Sequence, residues 1–171
     1  PLVFSDTVAY PFRIGFAKVF DIFYSRGLHS EITFIGSGKL GYPDTALAAF
    51  ALGCDMVNVG REAMMAIGCI QAQRCHTGHC PTGVATQSAW LSRGLNPSDK
   101  SVRVMNYIYA LQDEILRLCH SVGVTHPALI PESVVEIVNQ EGTAVSILNY
   151  YGLLSIDQRL QESDFHYLEA I

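Results

Sequence analysis

Phe12, Phe16, Val19, Phe20 and Phe23 recur at helical spacing, and Arg26-Gly27 supplies a stop, so the pattern predicts a helix over residues 11–26. The period then shortens to a β-rich run, Glu31-Ile32-Thr33-Phe34-Ile35. Its nearly continuous apolar character is that of a buried parallel strand. Gly36-Ser37-Gly38-Lys39 stands at its carboxyl end. Pro43-Asp44 opens a second predicted helix, with Leu47, Phe50 and Ala51 on one face and Gly53 as its stop. Met56-Val57-Asn58-Val59 reads as a second buried strand ending at Gly60-Arg61, and another helix begins near Glu62 and runs toward Gly68. Strand, loop and helix thus occur twice in succession, the rhythm of βα units on a parallel sheet.

After residue 68 the rhythm stops. Residues 69–86 form a polar stretch containing glycine and cysteine. Val102, Met105, Ile108, Leu111, Ile115 and Leu118 make the longest stripe and predict a helix over 102–119, closed near Gly123. Pro127 and Pro131 bracket a turn, residues 132–140 are expected to be a short helix, and residues 143–160 are apolar with little pattern. The expected organisation is a βα part (1–68), a cysteine loop (69–87) and a helical extension (88–171).

Composition adds constraints. Apolar residues make up 49% of the 171 and charged residues 16%, against about a quarter charged in ordinary domains. Such a chain is expected to have surface covered by another domain, a partner or more of its own chain. The net charge of −5 argues against nucleic acid, which calls for a basic patch. No apolar run is long enough for a membrane span. No basic segment followed by an apolar run marks a signal peptide, so a cytoplasmic protein is expected. Pro1 in place of Met suggests a processed or truncated chain.

Five cysteines are an odd number, better read as thiols or metal ligands than as a disulfide framework. Three of them, Cys69, Cys75 and Cys80, fall within twelve positions as Cys-x5-Cys-x4-Cys followed by Pro81. Thiolates hold iron–sulfur clusters, and three ligands suit a cluster that lacks one iron corner. A Cys3His zinc site using His76 or His79 is the rival, and three unliganded thiols are the plain alternative. Cys54 and Cys119 read as core residues.

In parallel sheets ligands sit at the carboxyl ends of strands, and in (β/α)8 barrels the last two βα loops often bind phosphate through backbone N–H groups. Gly36-Ser37-Gly38-Lys39 and Gly60-Arg61 occupy two such ends, and a helix amino terminus after Arg61 favours an anion. Turn formation alone also accounts for Gly38 or Gly60, and Lys39 and Arg61 can be solvated charges.

Taken together, Ile35 to Lys39, Ala51 to Asn58, Ala66 to Gln71 and the run Cys75-His76-Thr77-Gly78-His79-Cys80-Pro81-Thr82-Gly83-Val84-Ala85-Thr86-Gln87 resemble FMN-binding glutamate synthase-family proteins over roughly residues 10–130. The resemblance implies the carboxy-terminal part of a (β/α)8 barrel, its last two βα units, followed by the cysteine loop and a helical tail. It implies FMN phosphate at Gly36, Ser37, Gly38, Lys39, Gly60 and Arg61, and a 3Fe–4S cluster on Cys69, Cys75 and Cys80 that relays electrons to the flavin. The implied reaction is reduction of the imine from 2-oxoglutarate and ammonia to glutamate, the ammonia coming from glutamine in some arrangements. The implied partner is the rest of the barrel, or another copy of this chain. Two departures stand out: Glu62 puts an acid beside the second loop, and six barrel strands are not in the sequence. A non-catalytic barrel remnant with zinc or an empty cysteine loop, serving assembly, is the competing reading.

Overall fold

A computed structural model describes residues 8–152. Helix α1 (Phe12–Tyr24) is built on the predicted aromatic stripe, with Phe12, Phe16, Phe20 and Tyr24 stacked along one face at centroid separations of 5.3, 6.0 and 6.2 Å. Strand β1 (Ile35–Ser37) is followed by α2 (Pro43–Ala51), strand β2 (Met56–Asn58) and the short α3 (Arg61–Ala66). β1 and β2 pair in parallel, with Ile35 opposite Met56, Gly36 opposite Val57 and Ser37 opposite Asn58. The architecture is α/β, and two βα units follow one another in the order the pattern predicts.

The first strand begins four residues later than expected, because residues 29–31 form a 3-10 turn and the ladder uses Gly36 and Ser37 rather than Glu31 to Phe34. Phe34 pairs just before it. Its carbonyl accepts from the N–H groups of Asp55 and Met56, and its own N–H donates to the Asp55 carboxylate at 2.6 Å. The strands are also buried on one face only. Gly36 and Val57 point into the core, whereas Ile35 is 60% exposed and Met56 49%. Phe34 is covered by Phe16, Phe20 and Phe23, whereas Ile35 and Met56 carry the apolar exposure of the pair.

Helix α4 (Pro97–Ser121) starts five residues before the apolar stripe, because Pro97 occupies its first turn and the Asn96 side chain accepts the Ser98 N–H. The expected helix over 132–140 is not formed. A 3-10 turn at Glu132–Val134 leads into β3 (Glu136–Val138), which pairs antiparallel with β4 (Ala144–Ser146). The β-branched run Val134, Val135, Ile137 and Val138 favours strand over helix. Asn139 closes the hairpin, its side chain accepting the N–H groups of Glu141 and Thr143. Helix α5 (Ile147–Tyr151) follows and ends at Gly152, whose φ of 65° is left-handed. The weakly patterned segment expected over 143–160 continues beyond residue 152, outside the described residues.

Helix α2 is the hub. Its sequence Pro-Asp-Thr-Ala-Leu-Ala-Ala-Phe-Ala buries four alanines, Ala46, Ala48, Ala49 and Ala51, on different sides, so neighbours approach it from several directions. Ala46 and Ala51 pack with Leu111, Ile115 and Cys119 of α4 and with Ile130. Ala48 and Leu52 pack with Ala17 of α1 and with Ile147 and Leu148 of α5. Ala49 packs with Leu40 and Cys54 beneath the parallel pair. The extension after residue 88 therefore shares its core with the βα units. Cys54 and Cys119 are both buried, as their apolar surroundings suggested.

Candidate functional site

The parallel register sets the geometry of the strand ends. Ser37 and Asn58 are cross-strand partners, so the chain leaves both strands side by side, Gly38-Lys39 from one and Val59-Gly60-Arg61 from the other. Both exits open into one cavity of about 720 Å³, within the range of roughly 300–1,000 Å³ usual for cofactor sites. Of the six candidates named from sequence, Ser37, Gly38, Lys39 and Arg61 line it, and Gly36 and Gly60 do not.

Lys39 sits at φ 60°, a left-handed backbone rare for a residue with a side chain. Such outliers persist where the surroundings enforce them, commonly at ligand sites. The two loop glycines have a second reason to be small. A Cβ on Gly38 would lie 2.6 Å from the Phe12 Cβ, and one on Gly36 would lie 2.6 Å from the Cys54 Sγ and 2.9 Å from the Phe12 Cζ. Close approach of the first turn of α1 thus dictates these glycines. At Gly60 a Cβ would meet open space.

Glu62 does not line the cavity, which removes the acid that the sequence set beside the second loop. Its side chain is buried against Gly41, where an added Cβ would lie 2.5 Å from the Glu62 Cβ, Cγ and Oε2. The Tyr107 hydroxyl donates to the Gly41 carbonyl at 2.7 Å. Burial, with the Glu62 charge as the next cause, raises the Tyr107 pKa. Glu62 Oε2 has no hydrogen-bond partner among the described residues.

The cysteine loop is ordered by its own polar groups. Thr77 Oγ1 donates to the Arg74 carbonyl at 2.7 Å, His79 Nδ1 donates to the Thr77 carbonyl at 2.8 Å, and Thr86 Oγ1 donates to the Gly78 carbonyl at 2.5 Å. Gly83, at φ 77°, lets the loop lie directly on the 3-10 turn Leu91–Gly94, where a Cβ would sit 2.5 Å from the Leu91 carbonyl oxygen. Cys69 is half-buried and its Sγ accepts the Gln71 N–H at 3.4 Å. Cys75 is exposed and Cys80 buried. Hydrogen bonds from the Thr82 hydroxyl, then the Ala85 N–H, bring the Cys80 thiol from its ordinary 9.0 down to about 7. That environment favours the thiolate, the ligating form.

The donor chemistry suits a thiolate-bound centre, but the arrangement does not. Among the described residues no three His, Cys, Asp or Glu side chains converge on a point where a metal could sit. No electron path is therefore derived through a cluster. The cavity, by contrast, has the size, cations and strand-end position for a phosphorylated cofactor. Sequence reasoning missed Phe12, Arg13, Tyr150 and Tyr151, which also line it. They carry no local motif, and the fold brings them in from both ends of the described chain. No described helix is long and apolar enough to cross a membrane.

Comparison with known proteins places the chain in a family. Residues 1–125 match the family model described as the conserved region in glutamate synthase. The chain is 35% identical over 145 residues to the glutamate synthase large subunit-like protein YerD of Bacillus subtilis strain 168, covering 85% of this chain and 28% of that protein. It is 39% identical over 124 residues to an archaeal glutamate synthase (NADPH) of Methanocaldococcus jannaschii, covering 72% of this chain and 24% of that protein. A ferredoxin-dependent glutamate synthase of Pyropia yezoensis is 28% identical over 113 residues, 66% of this chain and 7% of that protein. The chain thus spans about a quarter of the length of the first two relatives. With the family model matching well over half its length, and two glutamate synthase relatives above 30% identity, this chain belongs to the glutamate synthase family.

Proposed function

We propose that this chain is the carboxy-terminal part of the FMN-binding (β/α)8 barrel of a glutamate synthase-type oxidoreductase, and that its basic cavity holds the FMN phosphate. The observation that carries this reading is the opening of both strand-end loops into one cavity bearing Lys39 and Arg61. Those two cations neutralise the phosphate, the Ser37 hydroxyl and the backbone at Gly38 approach it, and Gly36 and Gly60 shape the two strand ends. The chemistry that FMN supplies when bound is hydride transfer, here to the imine of 2-oxoglutarate and ammonia, giving glutamate. The chain's own contribution is to anchor and orient the cofactor at the carboxyl ends of its strands.

A complete barrel needs ~250 residues, so the remaining strands come from more of the same protein or from another copy of this chain. Ile35 and Met56, adjacent across the parallel pair, are the apolar surface such strands would cover. Cys69, Cys75 and Cys80 are the proposed ligands of a 3Fe–4S cluster in the assembled protein. The second reading is a barrel remnant with zinc or an empty loop serving assembly, and the lack of three converging donors among the described residues favours its empty-loop form. The visible spectrum of the intact protein, measured with its iron content, separates the two. Flavin and cluster absorption, with iron lost when any of the three cysteines becomes serine, supports the oxidoreductase. A colourless protein, or unchanged iron in all three variants, refutes it.

A further inference from the structure

The cavity is more basic than the sequence motifs alone account for. Among the described residues its lining carries Arg13, Lys39 and Arg61 and no aspartate or glutamate, in a chain whose net charge is −5. Arg13 belongs to the first turn of α1 and lines the cavity together with Tyr151, the last residue of α5, whose hydroxyl feels the Arg13 charge. Tyr151 lies outside the family-matched residues 1–125.

This wall is fixed by packing. Ile147 and Leu148 of α5 are buried against Ala17 of α1 and against Ala48 and Leu52, and Gly152 ends the helix directly after Tyr151. A guanidinium beside the Tyr151 ring carries five N–H donors in a planar fork suited to phosphate oxygens. Tyr10 and Tyr150 add flat apolar surface beside the cations.

We propose that Arg13 is a third phosphate-binding cation of this cavity and that Tyr151 is the residue that positions it. The segment beyond the family-matched region then completes a site for a phosphomonoester carried on an aromatic group. This rests on the phosphate-site reading above. It goes further in assigning ligand contact to α1 and a positioning role to the carboxy-terminal helix.

The test is a nuclear magnetic resonance titration of the full 171-residue chain with FMN, riboflavin and inorganic phosphate, with thermal unfolding as a check on each variant. The wild-type chain binds FMN more tightly than riboflavin. Arg13→Gln weakens FMN by roughly tenfold or more, the scale of one hydrogen bond to a charged group, and leaves riboflavin unchanged. Arg13→Lys recovers part of the loss. Tyr151→Phe keeps the ring and its packing, so it guards against loss of fold, and it lowers FMN affinity without touching riboflavin.

The outcomes are distinct. Equal binding of FMN and riboflavin by the wild-type chain, with no response to phosphate, overturns both the phosphate-site reading and this inference. If Lys39→Gln and Arg61→Gln abolish the preference for FMN and Arg13→Gln retains it, the phosphate site stands and the assignment of Arg13 is wrong. If Arg13→Gln loses it and Tyr151→Phe does not, the positioning role of Tyr151 is refuted.

Discussion

Gly36→Ala tests whether the first glycine of the strand-end loop is there for packing. The added methyl would lie 2.6 Å from the Cys54 Sγ, 2.9 Å from the Phe12 Cζ and 3.2 Å from the Leu40 Cδ1. The position does not lie in the left-handed region, so crowding is the operative effect. All three neighbours sit in one packed cluster, and overpacking of this kind costs about 1–3 kcal/mol. For a chain of this size the unfolding midpoint falls about 2–4 °C per kcal/mol. Cys54→Ala removes the nearest of the clashing atoms at a cost of about 1 kcal/mol of buried surface. If the clash is the cause, the double variant Gly36→Ala, Cys54→Ala is more stable than the sum of the singles by at least about 0.5 kcal/mol. Thermal and urea unfolding of the four proteins close the cycle. Strict additivity, or a Gly36→Ala protein as stable as wild type, refutes the packing account and returns Gly36 to a role in ligand approach.

Asp55→Ala removes the acceptor of the partly buried Phe34 N–H; urea unfolding is expected to show a loss of about 1–3 kcal/mol, and Asp55→Asn, which keeps an oxygen acceptor, a smaller one. Gly83→Ala combines a left-handed backbone with a contact to the Leu91 carbonyl oxygen. Limited proteolysis is expected to cut the 69–94 region faster in this variant, and an unchanged cleavage rate would count against the contact. Burial pushes the Cys54 thiol from its ordinary 9.0 up to about 12. The folded chain then keeps a proton the unfolded chain gives up, so this stabilisation is complete below pH 9 and declines as pH rises toward 12. Denaturant melts across that window are expected to show the decline in the wild type and a shallower one in Cys54→Ala. In native protein at pH 8, iodoacetamide should label the exposed Cys75 and spare the buried Cys54 and Cys119, while in urea all should react.

The sequence made α1 and the two βα units legible because their signals are local: aromatics every three or four residues, and apolar runs ended by glycine. It misplaced β1 because Ile32 and Thr33 have strand propensity, whereas the ladder is set by which residues face a neighbour, and Gly36 opposite Val57 has no propensity to announce it. Asn96-Pro97 was a readable cap that the apolar stripe overshadowed. The 132–140 segment is a hairpin strand rather than a helix because Val134, Val135, Ile137 and Val138 are β-branched and Asn139 and Gly142 form its turn. Lys39 and Arg61 were legible because each follows a strand. Arg13 and Tyr151 were not, because what unites them is contact between the first described helix and the last.

The alanine-rich α2 has a consequence for how the chain opens. Nine residues are too few to hold a helix in water unaided, so α2 persists only while its neighbours do, and those neighbours run from Ala17 to Leu148. Its amides are expected to exchange with solvent only when α1, α4 and α5 let go together, and so to be among the slowest of the described residues. A chain cut after residue 125 would lack Ile130, Ile147 and Leu148 and leave two flanks of α2 uncovered. The packed unit among the described residues therefore extends beyond the residues 1–125 that the family model matches.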